Sequence, residues 1–361
     1  MSRAGEALDA VQVAALLLAL GVVVALLVAT RTRGRRGPLP APPPPEEGAA
    51  PRERPWAAVV ANPTKIVDVD TELTWLEERS EEYGWAAPVW LETTVEDPGA
   101  GQARAALRAG ASTVVAYGGD GTVRAVAGQV AGSDVPLGLL PAGTGNLLAR
   151  NLAVPVTDIE AALTVALVGP TRRIDVGRAV IDLSGEDADP RREAFMVMAG
   201  LGFDAEVMAS VEPRLKARVG WWAYVVAGLR NVRGRRTRVA LRFDDAPPLQ
   251  RRVRSVIVGN CGELTGGVRL MPSAEVDDGW LDVVAVAASG VVGWAAVTGA
   301  VLTRSRWGHP VVEHFRCRSV EVRADRPLQV QLDGDPVGLA RALSATVDPG
   351  ALAVRVLTLP A

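Results

Sequence analysis

Four short segments place glycines beside oxygen-bearing side chains at spacings that suit phosphate or metal chemistry. Gly118-Gly119-Asp120-Gly121-Thr122 lies between an apolar run and a helical pattern. Glycines there would let backbone N–H groups approach phosphate oxygens closely, and the helix start that follows favours an anion. Asp120 could then hold a magnesium ion against those oxygens. A tight strand-to-helix turn with an Asp cap is the plainer alternative. Leu140-Pro141-Ala142-Gly143-Thr144-Gly145-Asn146 repeats the arrangement, without the Lys-Ser or Lys-Thr of a Walker A loop. Two such loops at neighbouring strand ends could clasp one polyphosphate from both sides, with Thr144 and Asn146 adding side-chain hydrogen bonds. Either residue could instead simply cap its helix. Further on, Asp277 and Asp278 precede Gly279, a carboxylate pair able to ligate a divalent ion but also an ordinary hairpin turn, which the residues alone favour. Leu332-Asp333-Gly334-Asp335 is the last segment. A carboxylate facing the loops across a cleft could take the proton of an acceptor hydroxyl, and a solvated turn is again the alternative.

Such segments need a scaffold, and the apolar pattern supplies one. Trp56–Ala61, Ala87–Glu92, Thr113–Tyr117 and Leu137–Leu140 read as strands, with helices at Asp70–Tyr83, Gly101–Ala109, Val123–Ala131 and from Asn146 to Leu152. The alternation predicts an α/β nucleotide-binding domain over residues 56–172, a parallel sheet flanked by helices with its ligand loops at the strand carboxyl ends. Beyond Arg172 short strands predominate: Ile174–Ile181, Ala194–Met198, Thr237–Phe243, Arg254–Val258, Leu281–Val286, Ser319–Ala324 and Leu328–Leu332, with helices near 214–230 and 290–304. That texture predicts a mainly β, sandwich-like second domain over 173–361, whose last strand, Leu352–Leu357, returns to one domain or the other.

The N-terminal residues read differently. After a tail at 1–10, the run from Val11 to Ala29 is apolar apart from Gln12. As a helix it would span roughly 29 Å, close to a bilayer core, so one transmembrane helix is expected over 11–30. Arg31, Arg33, Arg35 and Arg36 follow it, which predicts a single-pass protein of the cell membrane with its catalytic domains cytoplasmic. A cleaved signal peptide is the alternative, weakened by the length of the run and its downstream charge. Residues 31–55 form a basic and then Pro-rich linker, in which Pro42 to Pro45 favours an extended polyproline helix.

Composition removes several other classes. At 361 residues and 48% hydrophobic content the chain can bury a large core. A net charge of −2 offers no broad basic field, so no nucleic-acid partner is expected. Cys261 and Cys317 have neither disulfide-framework nor CxxC spacing, and two histidines without a Cys cluster speak against zinc. A Trp-rich stretch, Gly220 to Tyr224, lies between Arg214, Lys216, Arg218 and a later group, Arg230, Arg233, Arg235, Arg236 and Arg238. It would either dock on anionic headgroups or turn its aromatics into a core.

In order, the four segments resemble the diacylglycerol kinase catalytic family, which includes bacterial lipid kinases and the sphingosine and ceramide kinases. The resemblance takes in Asn62-Pro63, Asp175-Val176-Gly177, Gly200 to Asp204 and the stretch from Gly259-Asn260 to Gly279, and covers roughly Trp56 to the C-terminus. It implies two domains with ATP and Mg2+ between them. Asn62, Thr94, the loop of Gly118, Gly119, Asp120, Gly121 and Thr122, and Thr144 would contact the nucleotide, with Gly143, Gly145 and Asn146 completing the second loop. Asp278, with the backbone carbonyls of Glu275 and Trp280, would form the family's structural magnesium site.

By the same resemblance Asp120 and Asp335 are the catalytic carboxylates. The family usually ends its last motif Asp-Gly-Glu with the Glu as general base, and Asp335 is one methylene shorter. A second departure is Arg124-Ala125, where many members carry Asn-Glu; Arg124 would contact phosphate or point into solvent. The implied activity is an ATP-dependent lipid kinase that moves the γ-phosphoryl to a hydroxyl of diacylglycerol or a related lipid in the membrane bilayer. A sphingoid- or ceramide-type kinase, or a catalytically silent nucleotide- or lipid-binding membrane regulator, is the alternative. NAD kinases share the first loop but not the rest. A homo-oligomer is left open.

Overall fold

The computed structural model describes residues 54–182, 190–202, 236–264, 268–269, 271, 273–287 and 312–357. Its first part alternates β1 (Ala57–Ala61), α1 (Val69–Glu82), β2 (Val89–Glu92), α2 (Ala100–Arg108), β3 (Thr113–Gly118), α3 (Asp120–Val130), β4 (Leu137–Pro141), α4 (Leu147–Asn151) and α5 (Ile159–Val168). β1 and β3 are buried along their whole length, as strands covered on both faces must be. The four strands run parallel in the order β2-β1-β3-β4. From β1 the chain crosses first to one side and then to the other, so a crevice opens at the carboxyl ends of β1 and β3, where open α/β sheets bind ligands.

α5 has no counterpart among the helices read from the sequence. Seven of its ten residues, Ala161 to Leu167, are buried, so it lacks the polar face that marks an amphipathic helix. A Cβ on Gly138 would come within 2.8 Å of the Ala166 Cβ, which measures how tightly α5 lies on β4. Burying a Leu such as Leu163 or Leu167 contributes about 1.5–3 kcal/mol, and this outweighs the missing periodicity.

The second part comprises β5 (Thr171–Asp182), β6 (Arg191–Phe195), β7 (Met198–Leu201), β8 (Thr237–Phe243), β9 (Leu249–Val253), β10 (Ser255–Gly259), the small hairpin β11 (Glu263–Leu264) and β12 (Val268–Arg269), β13 (Leu281–Val286), β14 (Val312–Cys317), β15 (Ser319–Leu332) and β16 (Asp335–Arg355). Its strands pair antiparallel around a core that includes Phe195, Leu201, Leu241, Val258, Leu332 and Leu343. β16 is one long strand that pairs with β15 and β5 and then reaches the first part, where Val354 pairs with Leu137 of β4 in parallel register. Both parts thereby share one continuous hydrogen-bonded ladder.

Three sequence expectations need correction. The strand expected over Ala194–Met198 breaks, because the N–H groups of Met196 and Val197 turn away to the carboxylate of Asp333. The two strands expected at Ser319–Ala324 and Leu328–Leu332 are one, β15, with a register shift between Arg323 and Leu328 absorbing the polar interruption. The expected fold class also included a transmembrane helix, and this does not stand. Among the described residues no helix is long and apolar enough to cross a membrane. Residues 11–30, like the Trp-rich stretch and the helices expected near 214–230 and 290–304, lie outside the described residues. What stands is an α/β part followed by a β-sandwich-like part.

Candidate active site

The two glycine loops lie against each other. A Cβ on Gly143 would fall 2.6 Å from the Gly119 Cα, so backbone meets backbone and only glycine fits. Asp120, the first residue of α3, fastens the contact: the N–H of Asn146 donates to its Oδ2 (3.0 Å) and that of Leu147 to its Oδ1 (2.6 Å). α4 is therefore capped by a carboxylate from the other loop. Asn146 sits in the left-handed conformation (φ 48°), and its amide closes back on Gly143, accepting from the N–H and donating to the carbonyl. Thr144 is left exposed at the loop tip.

α3, by contrast, has no side-chain cap on its N-terminal turn. Its N–H groups face the crevice as an anion-binding end. Thr122 is buried beneath Gly118, where a Cβ would meet its Oγ1 at 2.7 Å. Asn62 closes the neighbouring strand end: its N–H donates to the Tyr117 carbonyl (2.9 Å), and its Oδ1 caps the Pro63–Lys65 turn through the Thr64 N–H. Thr94, exposed after β2, accepts from the Asp97 N–H (3.0 Å). These residues thus gather at one end of the parallel sheet.

The Asp333-Gly334-Asp335 turn reaches the same place from the β part. A Cβ on Gly121 would come within 2.9 Å of Asp335 Oδ2, so that carboxylate lies directly over the first loop. Asp333 is buried and accepts the N–H groups of Met196, Val197 and Met198 at 2.8–2.9 Å. Sequence reasoning assigned a role only to the second Asp of this motif; the three N–H groups that Asp333 accepts show that the first anchors the turn. Arg124 goes neither to solvent nor to the glycine loops: it donates to the Leu332 carbonyl and stands 3.6 Å from Asp335 Oδ2.

Crowding of carboxylates sets the electrostatics. Burial pushes the Asp120 carboxyl up to about 6, and the nearby charges of Asp333 and Asp335 add to the rise against the pull of the Leu147 and Asn146 N–H groups. Burial likewise raises Asp333, against the N–H groups of Met196 to Met198 and the charge of Arg124. A positive ligand, or one that brings a cation, would relieve this concentration of negative charge. Beside the turn a cavity of about 740 Å³ begins at Gly121 and Arg124 and runs between α2, α3 and the β5–β6 pair, with Arg104, Arg178 and Arg192 on its walls.

The magnesium donors inferred from resemblance sit elsewhere. Asp278 is paired with Arg316 and accepts the Trp280 N–H (3.0 Å), while Arg316 and Arg318 stand over the Trp280 ring. Glu275 is exposed on the same turn. A guanidinium already balances Asp278, so a metal ion would have to displace it, and the arrangement does not fit magnesium as it stands. Among the described residues, no three His, Cys, Asp or Glu side chains are placed to hold one metal ion together. Other pieces of the resemblance serve as scaffold: buried Asp175 accepts the N–H groups of Gly279 (2.6 Å) and Gly350 (2.7 Å), and Gly177 leaves room for the Phe195 ring, 2.1 Å from where a Cβ would be.

An uncapped helix start with a carboxylate above it suits in-line phosphoryl transfer. Two family profiles match consecutive parts of the chain: the diacylglycerol kinase catalytic domain over residues 57–179 and the YegS C-terminal NAD kinase beta sandwich-like domain over 197–356. A Pseudomonas aeruginosa protein named "Probable lipid kinase YegS-like" is 35% identical over 255 residues, 69% of this chain and 78% of the relative. The Bacillus subtilis protein named "Diacylglycerol kinase" is 25% identical over 287 residues, 78% of this chain and 90% of the relative. A crystal structure of a diacylglycerol kinase from Bacillus anthracis has the same fold, with TM-score 0.65 and 21% identity over 85% of this chain and 98% of that one. The chain belongs to the diacylglycerol kinase family of lipid kinases, in its YegS-like branch.

Proposed function

We propose that this kinase transfers the γ-phosphoryl of ATP to a hydroxyl of diacylglycerol or a closely related lipid, at the cytoplasmic face of a membrane. The observation that carries this reading is the position of Asp335, over the uncapped end of α3 and within reach of a group bound at Gly121. The N–H groups of that helix end and of the paired glycine loops would receive the phosphate oxygens, and Asn62 and Thr94 stand at the same sheet end for the rest of the nucleotide. A divalent metal, as the family implies, would supply further charge neutralisation on the phosphates; Asp120 could meet it only with lone pairs left over from two N–H bonds.

In the reaction the lipid hydroxyl gives its proton to the Asp335 carboxylate as its oxygen bonds to the γ-phosphorus. The bond from that phosphorus to the bridging oxygen breaks, and ADP leaves. Two loops locked by Asp120 and Asn146 need little rearrangement, so their dipoles are already aimed where negative charge collects.

Purified protein with magnesium, labelled ATP and vesicles holding diacylglycerol, sphingosine or ceramide tests the reading. Labelled phosphatidic acid should form, and Asp335→Ala should lower kcat by about 10²–10⁴ while ATP still binds. Label on a sphingoid lipid alone would move the assignment to that acceptor class. ATP binding with no labelled lipid would make the chain a silent regulator.

A further inference from the structure

We propose that Arg124 is the positioning residue for Asp335, so that the chain's two departures from its family's motifs form one working pair. The inference rests on the reading of Asp335 as the base. Arg124 lies four residues after Asp120 on α3, on the same helix face, with only 15% of its side chain exposed. One guanidinium nitrogen, Nη1, donates to the carbonyl of Leu332; the other, Nη2, stands 3.6 Å from Asp335 Oδ2. A single planar group thus holds the Asp-Gly-Asp turn on both sides of Gly334. That turn belongs to the β part and Arg124 to the α/β part, so the contact sets how far the carboxylate stands from Gly121.

The pairing has a physical reason. By the resemblance, the family's usual Glu would carry the carboxylate one methylene further from the turn, and Asn-Glu would occupy the helix positions of Arg124-Ala125. Here the carboxylate is shorter and the helix residue longer. Asp335 is 45% exposed, so packing alone leaves its rotamer weakly defined, and the guanidinium anchored on the Leu332 carbonyl biases it through an ion pair at 3.6 Å. An ion pair this exposed stabilises the fold by no more than about 1 kcal/mol, so its value lies in the geometry of the reacting oxygen, where small displacements cost rate steeply.

The experiment is a double-mutant cycle on the full chain with labelled ATP and diacylglycerol vesicles: Arg124→Asn, Asp335→Glu and the two combined, with Arg124→Lys as the conservative variant. Each single variant should lower kcat by about 30-fold with the KM for ATP within about threefold. The combination should recover to within about fivefold of the original chain, a coupling far outside additivity. Arg124→Lys should fall between, because an ammonium reaches one partner of the fork but not both. Thermal midpoints should move little in all four. Multiplicative losses in the combined variant would overturn the proposal, as would a rise in the KM for ATP at unchanged kcat, which marks a phosphate contact. So would a kcat loss in Arg124→Asn that follows its midpoint and that Asp335→Glu fails to repair. If the original chain labels no lipid, the reading of Asp335 fails first and this inference with it; an active chain without coupling overturns the inference alone.

Discussion

The two halves of the site are held in opposite ways. In the α/β part the loops at Gly118–Thr122 and Gly143–Asn146 are built from residues close in sequence, and the contacts that lock them span 3 residues within a loop and 26 or 27 between loops. In the β part the turn carrying Asp335 is held from far away. Asp333 takes its three N–H groups from residues 135 to 137 positions earlier, and Arg124 reaches Leu332 across 208. The near half needs glycine, a helix start and the pairing of the neighbouring strands β3 and β4. The far half needs the finished sheet, because β15 and β7 must pair before Asp333 meets Met196. The phosphate end is therefore built locally, and the carboxylate end depends on global folding.

Asp333→Ala should break that contrast most sharply. It strands three buried N–H groups at roughly 1–3 kcal/mol each, partly relieved by local relaxation, so the fold should lose about 3–5 kcal/mol by urea unfolding. A loss under about 1 kcal/mol would mean the turn does not depend on the distant strands.

The near half is sharpened by pH. The Asp120 value of about 6 in the fold lies above its ordinary 3.8, so the folded chain binds that proton more tightly than the unfolded one. Its contribution to stability is full below pH 3.8 and is lost as pH rises to about 6, a change of roughly 3 kcal/mol. By urea unfolding, the original chain should lose about 2 kcal/mol more stability than Asp120→Ala between pH 4 and pH 7, with the variant flatter. Equal slopes would mean that the clamp carboxyl is not strained by its neighbours.

The smallest effect concerns the turn at Asp278. Because Arg316 already balances this carboxylate, removing divalent ions with a chelator should leave the thermal midpoint within about 1 °C. In Arg316→Ala, added magnesium should raise the midpoint instead, by mass action on the freed carboxylate. A large chelator effect on the unaltered chain would show a metal-dependent β part.

Much of this was legible in the chain. Glycines at 118, 119, 121, 143 and 145 beside apolar runs announce strand–loop–helix turns, and strand periodicity found Thr237–Phe243 and Leu281–Val286 at their observed bounds. α5 escaped because a helix buried on all sides has no period to read; of β16 only the end from Leu352 was read, because polar and exposed residues break the strand pattern over much of its 21 residues. The segment 11–30 read as a membrane helix from its apolar length and the arginines after it; among the described residues no helix is long and apolar enough to cross a membrane.

By itself the sequence determined the chemistry at hand: which backbone amides could meet phosphate, which carboxylates could accept a proton, and the α/β-then-β order that carries them. Those properties follow from residue type and near-neighbour spacing. Only the tertiary structure decided that Asp120 caps the opposite loop, that Asp333 anchors the turn, and that Arg124 faces Asp335. Each joins groups whose separation along the chain carries no periodic trace, and such pairs exist only once sheet and helices have closed around them.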